Sequence, residues 1–268
     1  MIANLFLAGA PKSGTTSLAR SLGQHPDIFL PHVKEPHFFG SDTGQEFSSA
    51  DTYAALFSEA GKTHFRLDAS THTLRSADAI EQVLDLVPDA RFIVLLRDPV
   101  DAVPAFHGQL RRHFVEPDSD FGAAWALQAE RSIGAAEGPL YRPVYDYGRQ
   151  IKRLVTLVPR EQHRIYAFNA LQADGEAVIR DILEFLKLKQ ITLSLPHDNP
   201  NTDFRFRALH RQKQRRAPQD PPPQGRARHS KESRAWPTAD GLERQNWGTR
   251  SRTTAARRRN ARRVSGRL

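Results

Sequence analysis

Between Leu7 and Leu18 the sequence reads LAGAPKSGTTSL, and its residue types suit one task, the holding of an oxyanion. Gly9 and Gly14 let backbone amides approach an anion closely. Ser13, Thr15, Thr16 and Ser17 add hydroxyls, and Lys12 adds a cation just ahead of a helix start. The spacing departs from the common nucleotide loop GxxxxGK[ST], in which the lysine directly follows the second glycine. Here Gly9 and Gly14 keep that separation, but Thr15 and Thr16 follow Gly14 and the lysine stands two residues before it. A lysine so placed projects from the loop itself toward a bridging or terminal oxygen. Taken alone, AGAPKSG also reads as a tight strand-to-helix turn, because glycine, proline and serine mark turns.

Two further segments carry reactive side chains. Lys34-Glu35-Pro36-His37-Phe38-Phe39 sets a carboxylate and an imidazole two residues apart beside two phenylalanines. The commonest role of such a Lys–Glu pair is a solvated loop salt bridge. In FIVLLRDPVDAVPAFH, 92–107, an apolar run ends in Arg97. Open α/β sheets bind ligands at that end of a strand, and a guanidinium fork suits an anion. Pairing of Arg97 with Asp98 or Asp101 is the structural alternative. His107 and the other histidines show no metal-ligand spacing. With no cysteine in the chain, disulfides, thiolate metal sites and cysteine nucleophiles are excluded.

The elements that must position these residues follow from periodicity. ANLFLAG, 3–9, and RFIVLL, 91–96, are continuous apolar runs of the kind found in parallel sheets. HFRLDAS, 64–70, and HRIYAF, 163–168, are weaker strand patterns. Helical patterns lie between them: TTSLARSLGQ, SADTYAALFSEA, SADAIEQVLDLV, VYDYGRQIKRLVTLV and EAVIRDILEFLKL. In the fourth, Val144, Tyr147, Ile151, Leu154, Val155 and Val158 recur at helical spacing. Strands alternating with helices predict an α/β fold, a parallel sheet of P-loop type flanked by helices on both faces.

At the level of motifs, PKSGTTSL resembles the 5′-phosphosulfate loop of the sulfotransferase family, which uses the donor 3′-phosphoadenylyl sulfate. KEPHFF is similar to the KE-x-HFF segment of the family's carbohydrate-type and bacterial branch. FIVLLRDPVDAVPAFH is similar to its strand, arginine, [D/N]-P and helix signature. The likeness spans roughly residues 3 to 190. It implies in-line transfer of a sulfuryl group to a hydroxyl, or secondarily an amine, of a carbohydrate or small-molecule acceptor. Lys12 would stabilise the leaving oxygen. Lys12, Ser13, Gly14, Thr15, Thr16 and Ser17 would hold the 5′ phosphosulfate and Arg97 the 3′-phosphate, with no metal required. Glu35 would be the general base. His37 either orients Glu35, contacts substrate, or packs inertly beside Phe38 and Phe39, which are wall and core. Two departures stand out. Ala105 occupies a place where the family usually has a serine, and Pro104 is expected to kink or shorten the helix around it. The competing reading is another P-loop NTPase or kinase, against which the missing lysine after Gly14 argues.

The net charge of +9 over 268 residues conceals a division. Residues 211–268 carry 17 Lys and Arg against 4 Asp and Glu, which leaves the body acidic. After about residue 200 periodicity fails, and a proline run and scattered arginines replace it. The expected organisation is therefore a domain over 1–211 and an Arg-rich, disordered tail over 212–268. Such a tail has nonspecific affinity for polyanions. A tail-borne polyanion-binding protein is thus a third class of function, and a shifted reading frame would also produce such a segment. Asp198 to His210, with Arg205 or Arg207 near the nucleotide, is where family-like sequence would end. No run approaches the roughly 18–20 apolar residues of a membrane span, and Met1 leads almost directly into a strand. The expected location is the cytoplasm.

Overall fold

The computed structural model describes residues 1–42, 47 and 49–196. The predicted tail and the 198–210 segment lie outside the described residues. In chain order the elements are β1 (Leu5–Gly9), α1 (Thr15–Leu22), β2 (Ile28–Phe29), α2 (Ala50–Ala55), β3 (Phe65–Asp68), α3 (Ala79–Leu86), β4 (Arg91–Leu96), α4 (Pro99–Arg112), α5 (Phe121–Ala126), α6 (Gln128–Ser132), α7 (Tyr147–Leu157), β5 (His163–Ala167), α8 (Phe168–Ala173) and α9 (Gly175–Phe185).

Among the described residues the strands form one sheet in the order β2-β3-β1-β4-β5. Every pairing is parallel, as the continuous apolar runs require. Side chains of a strand alternate between faces, and both faces of the sheet are covered. Leu5, Leu7, Leu67, Ile93 and Leu95 pack with Leu18 and Leu22 of α1 and Ile179, Ile182 and Leu183 of α9. On the opposite face Phe6 stacks on Phe92 at 5.4 Å and meets Phe39 edge-on at 5.6 Å. Tyr53 of α2 stacks on Phe38 at 4.3 Å. Phe38 and Phe39 are thus core, and they pin the segment bearing Glu35 and His37 to the sheet. From β1 the chain moves to β2 and β3 on one side and returns with β4 on the other, an order that opens a crevice beyond the strands' carboxyl ends.

Two local expectations are corrected. Pro104 does not shorten its helix, and α4 runs fourteen residues through it. The hydrogen bond that proline removes would have gone to the carbonyl of Val100, a residue 79% exposed, so the loss falls at the solvent-facing side of the helix and not in the core. The pattern from Val144 to Val158 is not one helix. A 3-10 turn covers Arg142–Tyr145, and α7 begins at Tyr147 because Asp146 intervenes and caps it, accepting from the Arg149 amide at 3.3 Å.

Beyond α4 a smaller helical lobe is tied together by a buried ion pair. Arg131 donates to Glu116 at 2.7 and 2.8 Å and to Asp118 at 2.8 Å, and the Tyr141 hydroxyl also donates to Glu116. Both side chains of the Arg131–Glu116 pair are 0% exposed. Burial by itself raises the Glu116 carboxyl, but the bonds from Arg131 and Tyr141 hold it below its ordinary value. Its stabilisation is therefore complete above the ordinary carboxylate range and lost as pH falls through the depressed value. Arg131→Met strands a buried carboxylate and is expected to cost about 3–5 kcal/mol. Urea unfolding at neutral pH measures it, and a loss below about 1 kcal/mol would match an exposed pair instead.

Candidate active site

Four strands deliver their following residues to one end of the sheet. The loop from Ala10 to Gly14 leaves β1, the stretch from Ala69 leaves β3, Arg97 leaves β4 and Phe168 leaves β5. Close packing of these segments explains both loop glycines. A Cβ on Gly9 would stand 3.0 Å from the Leu74 Cβ and 3.1 Å from the Thr71 carbonyl. Gly14 has φ +83°, and a Cβ there would meet the Phe168 ring at 3.0 Å. Gly14 is also the N-cap of α1, so no side chain caps the helix and its first turn holds no acidic residue. The leading amides of α1 are left for an anion. Thr15, Thr16 and Ser17 form that first turn, with Thr15 buried.

Lys12 sits at φ +62° in the left-handed region, a strained position for a residue with a Cβ. Burial pushes its ammonium below the ordinary lysine value, and Arg112 and Arg97 push the same way, while Glu35 acts against them. The Arg97 guanidinium donates to the Lys12 carbonyl at 3.2 Å and lies over the Phe168 ring at 4.9 Å. Asp98 turns away to cap α4 by accepting from the Val100 amide at 2.9 Å, so the ion-pair alternative for Arg97 is not what forms.

Glu35 and His37 both hold positive φ, +64° and +50°, which brings their side chains together across Pro36. Lys34 donates to Glu35 Oε1, the Thr71 hydroxyl donates to Oε2 at 3.0 Å, and His37 Nε2 stands 3.5 Å from Oε2. The His37 amide donates to the Ser70 hydroxyl at 3.1 Å. Ser70 is fixed in turn by Asp68, which accepts from the Ser70 amide at 2.9 Å and from the Tyr53 hydroxyl at 2.7 Å. Left-handed backbone at neighbouring non-glycine residues persists only where surrounding contacts over-determine it, and these contacts do so. Lys12, Glu35, His37 and Arg97 thus share one neighbourhood. His37 Nε2 faces Glu35 Oε2.

Sequence reasoning missed Ser70, Thr71 and His72, which support the Glu35–His37 pair, and Tyr147, which reaches the loop. For Ser70, Thr71 and His72 the available signal was their position in LDASTHT directly after a parallel strand, where sheet ligands gather. Among the described residues, the Arg97 Nε is buried without a hydrogen-bond partner, while the buried Ser13 and Tyr147 hydroxyls lie against each other. Tyr147 lies beside Ser13 and Arg97, and burial raises its phenol above the ordinary value. Buried polar atoms are ordinarily paired. Buried hydroxyls and a guanidinium nitrogen around one glycine loop, next to uncapped helix amides and two cations, fit an anionic phosphoryl or sulfuryl group. No helix among the described residues is long and apolar enough to cross a membrane.

Comparison with known proteins gives concordant findings. A model of the sulfotransferase family matches residues 32–192, a span that begins after the glycine loop. The chain is 26% identical over 212 residues to the bifunctional heparan sulfate N-deacetylase/N-sulfotransferase 3 of Homo sapiens. That match covers 75% of this chain, but the chain spans only 23% of the relative. A crystal structure of a sulfotransferase from Alicyclobacillus acidocaldarius superposes with a TM-score of 0.67 at 30% identity, covering 75% of this chain and 87% of that one. The sulfotransferase domain of an olefin synthase from Synechococcus shares the fold, with a TM-score of 0.50, 18% identity and coverage of 70% and 74%.

Proposed function

From the chain's membership of the sulfotransferase family, we propose that it moves a sulfuryl group from 3′-phosphoadenylyl sulfate to a hydroxyl of a carbohydrate or small-molecule acceptor. Sulfuryl transfer and enzyme class come with the family; the donor, the acceptor class and the residue roles are this proposal. The observation that carries it is the cluster of buried polar groups at the glycine loop, Ser13 Oγ, Tyr147 Oη and Arg97 Nε, beside Lys12 and the α1 amides. The donor supplies a sulfuryl group on a phosphate leaving group, so negative charge grows on the bridging oxygen as the S–O bond breaks.

The protein's contribution is positioning and electrostatics. The loop amides, with Ser13, Thr15, Thr16 and Ser17, hold the 5′ end. Lys12 meets the charge that develops on the leaving oxygen. Arg97 binds the 3′-phosphate without help from a hydroxyl at Ala105, and Tyr147 is the neighbouring hydroxyl suited to share that load. Glu35 removes the acceptor's proton, with Thr71 and Lys34 fixing its two oxygens. Burial of the crevice strengthens each of these interactions relative to water.

Isothermal titration with adenosine 3′,5′-bisphosphate in the absence of magnesium tests the donor assignment. Binding is expected, and Arg97→Ala should weaken it about 10- to 100-fold, the worth of charge-assisted bonds to one phosphate. Donor-dependent transfer of radiolabelled sulfate over an acceptor panel then tests the acceptor class. A folded protein that ignores the bisphosphate but binds ATP with magnesium would replace this reading with an NTPase or kinase.

A further inference from the structure

Strand β5 ends the sheet on its side, and among the described residues no strand pairs with its outer edge. It runs beside β4 from Phe92↔His163 to Leu96↔Ala167. Alternate residues of such a strand give their backbone groups to the neighbour, and the residues between them point the other way. His163 shows which set points outward. Its carbonyl accepts from the Arg160 guanidinium at 3.2 Å and from that of Arg164 at 2.9 Å. A carbonyl has two lone pairs, so none is left for β4. The backbone of His163 therefore faces the open edge, and by alternation so does that of Ile165 at the centre of the strand.

An open groove of about 570 Å³ lies along this edge, between α7 and α9. Its two faces differ in chemistry. Toward α7 it is apolar, with Ile165 36% exposed and Val155 48% exposed. Toward α9 it is polar. Arg164 lies over the Phe185 ring at 4.4 Å, and the Tyr166 hydroxyl donates to Asp181 at 2.5 Å. Edge strands of monomers are ordinarily blunted by proline, a bulge or a charge set across the pairing line. The strand HRIYA has no proline, its register with β4 is unbroken, and its one guanidinium is folded back onto Phe185.

We propose that this edge receives a second copy of the same chain, whose own β5 pairs antiparallel across a two-fold axis through Ile165 and continues the sheet. Such an axis stands normal to the sheet, so it reverses the strand and brings α7 face to α7 face. Ile165 then exchanges its amide and carbonyl bonds with the partner's Ile165. On the apolar face, Ile165 and Val155 meet the same two residues of the other copy. On the polar face, Arg164 falls opposite the partner's Tyr166 and beside the partner's Asp181, and the reverse pair forms two residues away. Asp181 keeps lone pairs free for it after accepting from Tyr166. Any strand could satisfy the exposed backbone, but this edge matches itself in both polarity and charge, which is what a two-fold contact demands. The inference is independent of the transfer chemistry proposed above.

The test is sedimentation equilibrium of the full chain at physiological salt, from micromolar concentration upward, with thermal melts confirming that each variant folds. Wild type is expected at twice the chain mass. Ile165→Lys places two ammonium groups at the centre of the contact and should raise the dimer Kd about 100-fold or more. Arg164→Glu and Asp181→Arg should each weaken self-association by setting like charges opposite each other. An equal mixture of these two variants should dimerise again, because both cross-pairs of the mixed dimer are then of opposite sign. A wild type that is monomeric at every concentration, a dimer indifferent to Ile165→Lys, or variants that fail to pair when mixed overturns the proposal. Slow hydrogen exchange at the Ile165 amide in a monomer would overturn it too, by showing that another part of the same chain covers the edge.

Discussion

Glu35→Gln should fold as well as wild type and lose kcat by about 10²- to 10⁴-fold, the usual worth of a positioned general base. The amide keeps the shape of the carboxylate, and its oxygen can still accept from the Thr71 hydroxyl, which lies 3.0 Å from Oε2 in the native site. The backbone at φ +64° costs the same for both side chains. What the variant lacks is an oxygen that can take a proton. Binding of adenosine 3′,5′-bisphosphate should therefore be unchanged, while the initial rate of sulfate transfer collapses at saturating donor. That split matters because Glu35 also contacts Lys34, and a residue serving only as a loop salt bridge at partly exposed side chains would contribute no more than about 1 kcal/mol of stability. A Glu35→Gln protein retaining a tenth or more of wild-type kcat would return Glu35 to that lesser role.

Such a variant could be chosen from KEPHFF alone, but the reason the glutamate is where it is could not. Leu5–Gly9 and Arg91–Leu96 were readable because strands buried on both faces are apolar throughout, and the loop between β1 and α1 announced itself by its glycines. Phe38 and Phe39 were legible as core from type alone. Their partners Phe6 and Tyr53 were not, because those contacts join distant segments. Thr71, Ser70 and His72 are polar residues in a loop, with no period to betray burial. They acquire a role only because β3 pairs in parallel with β1, at Leu5↔Leu67 and Phe6↔Asp68, which lays the end of β3 against the glycine loop. Strand β2 is two residues long, too short for any alternation to register. Tyr147 read correctly as a helical residue, yet its hydroxyl at Ser13 and Arg97 depends on where the Asp146 cap starts α7. Local chemistry was visible, then, wherever one segment supplies it, and hidden wherever two segments must meet.

Lys12→Ala should separate function from stability in the opposite sense to most core-facing substitutions. Removing a preorganised charge aimed at the leaving oxygen is expected to lower kcat by about 10²- to 10³-fold. The free protein, however, should melt at the same temperature or higher. Burial and the fields of Arg112 and Arg97 hold the Lys12 ammonium below its ordinary value of 10.5, so the charged side chain is a net cost to the folded state. Between the depressed value and 10.5 the unfolded chain binds a proton that the folded chain lacks, and wild-type stability therefore rises with pH across that window relative to the variant. Alanine carries the same left-handed backbone strain as lysine, so the comparison isolates the charge. A phosphosulfate or bisphosphate brought beside the ammonium reverses the balance and restores the proton. Titrations of adenosine 3′,5′-bisphosphate at increasing pH up to 10.5, each in two buffers of different ionisation heat, should accordingly show proton uptake by wild type once pH exceeds the depressed value, less or none by Lys12→Ala, and weaker binding as pH rises. Unchanged uptake in the variant would assign the proton to another group. A melting temperature lowered by several degrees would show that Lys12 supports the fold, whereas a protein that is equally stable, catalytically poor and deaf to the buffer places the lysine's free-energy cost in the site where it is used.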